Sequence, residues 1–541
     1  MALKNSKVIM AKNIRLEKDY NHVLSYSESD MVALCTANAV QTFTHCMFLR
    51  HGENKIQLEM TYNNALKCNY LAFQNPDYSN KWFFAFIDSI DYINDKVVQV
   101  NYTIDEFSTW WDYWQPDECF IEREHTMDDT PGANLIPEKL ELGEYVSNGP
   151  VQHVSYESDN QLIAMLSSQY EPDGTSWEAV RIGGIPASGC LTLYEDITAF
   201  AVALRKMATD GHIDNVYAAY LIPQSLVDLV NDCTVKIINT GGGGTYTYYS
   251  YNGSSGPSIH DYTINGRPAT LETYAPVNKK LLTAPYTGVL LYNLAGSTNF
   301  LGYEYFLDPT APEIRCTGVP TVGTSIVCMP LHYKRRQVNY LEGISCGKWP
   351  TLSWSADIYT NWLTQNAVNI GMGLLSGMFN FTSGIAGSVA TGESQGDQIG
   401  AGISEIKSII GEMYSHSVAP VTTRGNTNQG DVYTAGGNNE VFTHCVSITE
   451  QFARRIDKYF SRFGYQTNQT KVANQLGRSN WNFVKIANGE SIGHSTNNDY
   501  FSVPTRSMET INNIYRKGVT IWHNHANIGD YSQSNTIVST P

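Results

Sequence analysis

The sequence predicts a mainly β protein of the α+β type, and three observations predict it. Only 16% of the 541 residues are charged, against about a quarter in a typical globular chain. The polar surface must therefore be built from Asn, Gln, Ser, Thr and Tyr, and the 34 tyrosines fit the pleated, half-buried surface of a sheet. Val98, Val100, Tyr102 and Ile104 alternate with Gln99, Asn101 and Thr103, which is the period of a strand with one buried face. With 42% hydrophobic residues and little charge repulsion, global disorder is excluded. The length corresponds to three or four domains at about 150 residues each.

Taken in order, Trp82 to Ile93 and the alternating run after it form a predicted antiparallel hairpin, turned at Asn94-Asp95. Aromatic residues crowd Trp110 to Pro116. Ile197, Phe200, Ala201, Leu204 and Ala208 have helical spacing, stopped by Gly211. Val216 to Ile222 is a predicted strand, and Pro223 can open a short helix. Thr240 to Ser258, with four consecutive glycines, is expected to be a loop or hairpin tip outside the core. Ile358 to Gly392 runs 35 residues without a charged side chain. A second apolar stretch, Ile399 to Met413, follows, and then a polar Gly/Asn/Thr-rich stretch from Thr422 to Asn439. Ile448, Phe452, Ile456, Tyr459, Phe460 and Phe463 read as one apolar helix face closed by Gly464. Val519 to Trp522 is a late strand. No internal repeat of fixed period is visible.

The net charge of −16 argues against gripping nucleic acid through its phosphates, which needs a basic face. The ten cysteines form no C-x-x-C pair, so a disulfide framework or zinc ribbon is not expected and a reducing compartment fits. Met1 to Tyr20 carries five basic residues and no apolar core, so no secretory signal is expected.

Glu122-Arg123-Glu124-His125 could supply two carboxylates for acid–base hydrolysis if both faced the same way. The competing reading is an ion-paired strand, and it is preferred. His523 and His525 stand as a His-x-His pair that could hold a metal at a symmetry axis; a structural role is expected. Phe43-Thr44-His45-Cys46 recurs as Phe442-Thr443-His444-Cys445, which is read as chance rather than a zinc site. Gly371 to Gly377 lacks the Lys-Ser/Thr ending of a phosphate loop. No H-E-x-x-H motif occurs. Neither a cofactor nor a metal is expected. Gly373-x-x-x-Gly377 and Gly396-x-x-x-Gly400 allow close helix packing in lipid. Ala367 to Thr391 would span roughly 37 Å as a helix, although Asn369, Asn380, Thr382 and Ser383 make it a mediocre spanning segment.

Several runs together resemble a known family. These are Asp105-Glu106-Phe107-Ser108-Thr109-Trp110, Cys119 to His125, Pro137-Glu138 and Gly143-Glu144-Tyr145. They resemble the D-x-F-x-T-W, V-x-R-E-H and P-E-x-L-x-x-G-E-Y pattern of the tail-knob (distal tail tube) proteins of phi-29-like short-tailed bacteriophages. Tyr459 to Tyr465, Asn480 to Lys485 and Gly518 to His523 look like that family's late helix and strands. The resemblance covers about the first 150 and last 100 residues; the middle fits by order and composition.

The resemblance implies a virion structural protein and no enzyme. It implies β-rich tube-forming domains assembled as a hexameric ring, with a mixed α/β insertion and a long apolar loop. The expected division is 1–118 and 317–357 for the tube domain, 119–316 for the knob insertion with its Gly/Tyr-rich loop 240–258, 358–440 for the exit loop and 441–541 for the C-terminal tube segment. The loop would plug the tube and enter the host membrane on infection. Its candidate membrane-active residues are Trp362, then Leu374, Leu375, Met378, Phe379, Phe381 and Ile385 on one limb of a hairpin and Ile399, Ile403, Ile406 and Ile410 on the other. The implied partners are five further copies, other tail proteins, the host membrane and phage DNA in transit without specific binding. The location is the virion tail, assembled in the bacterial cytoplasm. A tail-associated cell-wall hydrolase and a receptor-binding tail protein are the alternatives.

Overall fold

The computed structural model describes residues 6–44, 46, 54–156, 161–176, 181–182, 185–186, 189–239, 244–253, 257–293, 296–320, 326–345, 441–496 and 502–538. The chain is mainly β, with short helices. It divides into two units, and neither is continuous in sequence: Met1–Gly143, Thr273–Thr283 and Thr449–Pro541 form one; Glu144–Glu272 and Ala284–Ile448 form the other.

The first unit is built on an antiparallel sheet ordered Ala39–Thr44, Lys7–Ala11, Tyr70–Asn75, Lys81–Asn94, Val97–Ile104 and Lys55–Leu58. Successive strand residues point to opposite faces, and here both faces are covered. Val8, Met10, Leu71 and Phe73 pack on one face with Ile56, Val98 and Val100. Ile9, Ala11, Tyr70 and Ala72 pack on the other with Trp481 and Trp522. Those tryptophans come from a second sheet, ordered His22–Leu24, Val519–Trp522, Trp481–Ile486, Glu118–Glu124 and Tyr465–Val472. The expected hairpin is present, with Asn94 paired to Val97. The expected closing strand occupies Val519–Trp522, all four residues buried.

The second unit has three main sheets. Tyr145–His153, Val441–Ile448, Thr287–Asn293 and Thr298–Leu301 form one. Val216–Pro223, Gln161–Ser167, Cys190–Tyr194, Thr245–Tyr251 and Cys233–Asn239 form another. The third contains Ser258–Thr263, Glu313–Gly318, Val327–Tyr333 and Arg336–Val338, with Ile344–Ser345 beside Val327–Tyr333. Leu162, Ala164, Leu191, Leu193, Val289, Cys316, Cys328 and Val441 share one core. Ile163, Met165 and Tyr194, on the opposite face of their strands, pack against the helix Ile197–Thr209. That helix ends as expected, with Gly211 at φ +77°.

Three expectations are corrected. Thr245–Tyr251 is a paired strand, not a loop, with Tyr248 and Tyr251 buried. Alternation sends Tyr248 to the helix-covered face and Tyr251 to the other. Pro223 ends a strand and precedes a three-residue 3-10 turn rather than opening it. Ile448 belongs to a strand, because Thr449 stands extended as the N-cap of the helix Glu450–Phe463. The remaining apolar face of that helix forms as expected, and Gly464 caps it by donating to Phe460 O at 2.8 Å.

Candidate functional site

The charged strand singled out in the sequence, Glu118–Glu124, lies in the first unit between Trp481–Ile486 and Tyr465–Val472. Cys119 and Ile121 point into the core and Glu118 and Phe120 outward. The register shifts around Ile121 to Arg123, where Tyr465–Val472 carries an extra residue on one side and Glu122 is itself the extra residue against Trp481–Ile486 on the other, so the simple alternation fails there. The two carboxylates part company. Glu122 is half-exposed and pairs with Lys485 at 2.7 Å. Glu124 is fully buried, pairs with Lys471 and accepts the Asn474 backbone N–H at 2.8 Å. Each acid is neutralised separately, so the ion-paired strand is the correct reading.

Close approach here requires glycine. Gly464 follows the helix Glu450–Phe463 at φ +62°, and a Cβ on it would fall 2.1 Å from Glu124 O. Its carbonyl accepts from Arg123 Nη1 at 2.7 Å. The Arg123 guanidinium lies 4.8 Å from the centre of the Tyr459 ring and pairs with Glu138. Glu138 also receives Lys280 Nζ at 2.9 Å. Both Glu138 and Lys280 are buried, and burial pulls the Lys280 ammonium below its ordinary pKa despite that carboxylate.

His125 is buried and neutral. Its Nδ1 accepts the Phe483 N–H at 2.8 Å and its Nε2 faces Ser461 O at 3.2 Å, which only a protonated Nε2 can satisfy. Burial, with the nearby Arg478 charge adding to it, lowers its pKa to about 3. Asp457 holds the returning segment Thr273–Thr283, taking the Val277 N–H at 2.8 Å, the Asn278 N–H at 2.9 Å and the Tyr274 hydroxyl at 2.5 Å. Sequence reasoning missed this dock, because its halves lie far apart in the chain. Beside Tyr465–Val472 a cleft of 670 Å³ is lined by Thr126, Asp128, Asn134, Gln466 and Gln469 among others, with Asp128 its one carboxylate. A single carboxylate, with Lys471 the one basic side chain beside it and that ammonium paired with Glu124, does not make a two-carboxylate hydrolytic pair.

Both histidines of the His-x-His pair make hydrogen bonds within the chain. His523 meets Ser25 Oγ through Nδ1 at 2.8 Å and Asn482 Oδ1 through Nε2 at 3.0 Å. Burial lowers its pKa to about 4. His525 Nε2 accepts the Arg15 N–H at 3.1 Å. Among the described residues no group of three or more His, Cys, Asp or Glu side chains could hold a metal. His444 faces Ser147 Oγ at 2.8 Å and Cys445 is buried in the second unit; His45 lies outside the described residues. The eleven candidate membrane-active residues, Trp362 to Ile410, also lie outside them. Among the described residues no helix is long and apolar enough to cross a membrane.

Residues 247–536 match the family described as Bacillus phage phi29, Tail knob protein gp9, C-terminal domain. The chain belongs to the phi29 tail knob family. Residues 4–115 also match the Caudoviral major tail protein N-terminus. The tail knob protein gp9 of Bacillus phage phi29 is 24% identical, over 91% of both chains. That of Bacillus phage B103 is 22% identical over 99% of both. The structure of the bacteriophage C1 tail knob protein, gp12, superposes with a TM-score of 0.60 at 14% identity, covering 98% of this chain and all of that one; it shares the fold. The recognised tail-knob resemblance is thus correct. This tail knob chain is a structural component of the virion tail, not an enzyme, and its partners include other tail components.

Proposed function

We propose that six copies of this tail knob chain close into the distal tail tube, that phage DNA passes through it without being gripped, and that the apolar segment 358–410 plugs the tube and enters the host membrane on infection. The observation that carries the reading is the 35-residue uncharged run Ile358–Gly392 in a chain otherwise built as a paired, polar-surfaced β protein. Charge is what makes insertion costly, so its absence over a bilayer-spanning length is the relevant property. The polar interruptions suit a segment that must first be kept in a water-soluble particle. The polar stretch Glu393 to Gln398 would turn a two-limbed hairpin. The net charge of −16 supports a passage that repels phosphates. Closing a ring from neighbouring sheets would also cover free strand edges.

The test is the native mass of the purified particle, together with dye release from liposomes. A hexamer is expected. Deleting Ala367 to Ile410 should leave the hexamer and abolish leakage. A monomer or trimer as the sole species overturns the ring, and leakage that survives the deletion overturns the membrane role. Tight DNA binding with a steep salt dependence overturns the non-gripping passage.

A further inference from the structure

In the second unit the strands Glu313–Gly318 and Val327–Tyr333 run antiparallel and place Cys316 directly opposite Cys328. Both are thiols and both are fully buried. The type of pairing follows from their neighbours. The N–H and C=O of one strand residue point to the same side. Pro330 O accepts the Asn339 N–H at 3.0 Å, so residue 330 turns its polar groups away from Glu313–Gly318. Cys328, two residues earlier, turns the same way, toward Ile344. Cys316 and Cys328 therefore form a pair without mutual backbone hydrogen bonds, the closer kind, with Cα atoms about 4.5 Å apart and side chains on one face. A disulfide needs about 4.4–6.8 Å between Cα atoms. The sulfurs already converge: Cys316 Sγ lies 2.5 Å and Cys328 Sγ 3.5 Å from the same oxygen, Val154 O. No other two cysteines among the described residues stand in register.

We propose that Cys316 and Cys328 are an oxidation site, made as two thiols and closed to a disulfide when the particle meets a low-molecular-weight disulfide outside the reducing cell. One cysteine thiolate attacks a sulfur of the external disulfide, forming a mixed disulfide and expelling one small thiolate. The second cysteine thiolate attacks the protein sulfur of that mixed disulfide, forming the Cys316–Cys328 bond and expelling the other small thiolate. The two protons released by the cysteines end on the two small thiols. Each cysteine sulfur loses one electron to the external disulfide. Entry requires local opening. Cys316 is two residues from the strand end at Gly318, and Cys328 is one residue from the strand start at Val327, and element ends open most readily. The closed bond would tie two strands of the second unit's core together after release.

The experiment incubates the full-length protein, purified under reductant, with oxidised glutathione. Intact mass and an alkylated peptide map are then recorded. A loss of about two mass units, reversed by dithiothreitol, is expected, with one peptide pair joining Cys316 to Cys328. The oxidised protein should melt at a higher temperature than the reduced one. Cys316→Ala and Cys328→Ala should each fail to lose the two units, the remaining cysteine staying a thiol or holding one glutathione as an unresolved mixed disulfide. If either variant still loses two units, or if the wild-type map shows the two cysteines separately alkylated after prolonged exposure, the proposal is overturned. The wild-type map decides alone if a variant fails to fold.

Discussion

Asp457 and Asn278, 179 residues apart in sequence, are joined by three hydrogen bonds. The Asn278 N–H and side-chain amide reach Asp457 Oδ1 at 2.9 and 2.7 Å, and that same amide reaches Asp457 O at 3.1 Å. Both residues are 2% exposed. The carboxylate thus anchors the short segment Thr273–Thr283, which visits the first unit between two passages of chain in the second. Asp457→Ala strands the Val277 and Asn278 amides and the Tyr274 hydroxyl. We expect a loss of about 3 kcal/mol or more, since each buried unpaired donor costs about 1–3 kcal/mol. Urea unfolding of the purified chain measures it; a loss below about 1 kcal/mol would show that water or a neighbouring group replaces the carboxylate.

Glu138 lies between two cations, Arg123 and the buried Lys280. Removing its charge leaves Lys280 buried beside Arg123 with no counter-charge in this cluster. Glu138→Gln should therefore cost about 3–5 kcal/mol. The double variant Glu138→Gln/Lys280→Met should recover much of that, because the stranded ammonium is gone as well. A double variant no more stable than the single one would show that the Lys280 bond to Ile136 O, 2.7 Å, matters more than its charge.

The parts of the fold legible in the sequence were those with a local period. The hairpin at 81–104, the helices at 197–209 and 450–463 and the closing strand at 519–522 each carry their pattern within a dozen or so residues. Ile448 fitted the helical spacing by accident, because the last residue of a strand can sit four before the first apolar helix position. The strand Thr245–Tyr251 was hidden by the adjoining glycines and by tyrosines buried on both faces. The helix Thr505–Lys517, with Met508, Ile511 and Tyr515 at helical spacing, was legible but overlooked. The polar dock was not legible at all. Asp457–Asn278 and Glu138–Lys280 are contacts between distant stretches, and nothing local marks the acid that will be buried.

Glu122 and Glu124 make a matched test of the ion-paired strand. Glu122 and Lys485 are both more than a third exposed, so Glu122→Gln should change stability by less than about 1 kcal/mol. Glu124 is fully buried, and Glu124→Gln should cost about 2–3 kcal/mol, because the Asn474 amide and Lys471 lose a charged acceptor. Equal effects from the two substitutions, read in the same unfolding assay, would contradict their separate environments.

The buried histidines give the first unit an acid limit. A histidine whose pKa is depressed on folding is neutral in the native state. The unfolded chain then takes up the proton first as pH falls. Stability is full above the unfolded value near 6.5 and declines as pH drops toward the folded value. For His125 that window runs from about 6.5 down to about 3, and for His523 down to about 4. At pH 4 the His125 contribution alone is on the order of 3 kcal/mol. His125→Gln should lower stability at pH 7 but make the fall between pH 6.5 and 4 shallower. Melting curves across that range provide the check. An unchanged pH slope in the variant would mean that another group dominates the acid response.

The membrane proposal can be tested without removing the segment. Leu375 and Phe379 stand four residues apart, so in a helix they share one face. An Asp at the centre of a membrane helix costs about 2.5–3.5 kcal/mol on the insertion scale. Leu375→Asp with Phe379→Asp therefore opposes insertion by about 5–7 kcal/mol if the costs add, enough to suppress the inserted state. The substitutions are remote in sequence from the sheets and from the polar dock, so the native mass and the urea transition should match wild type. Dye release from liposomes should fall by at least tenfold, and phage carrying the variant should lose infectivity. Leu375→Ala with Phe379→Ala is the control, shortening the side chains without adding charge, and should retain most of the leakage. Full leakage from the Asp variant would mean that this limb does not enter lipid; equal loss in the Ala control would point to packing rather than charge.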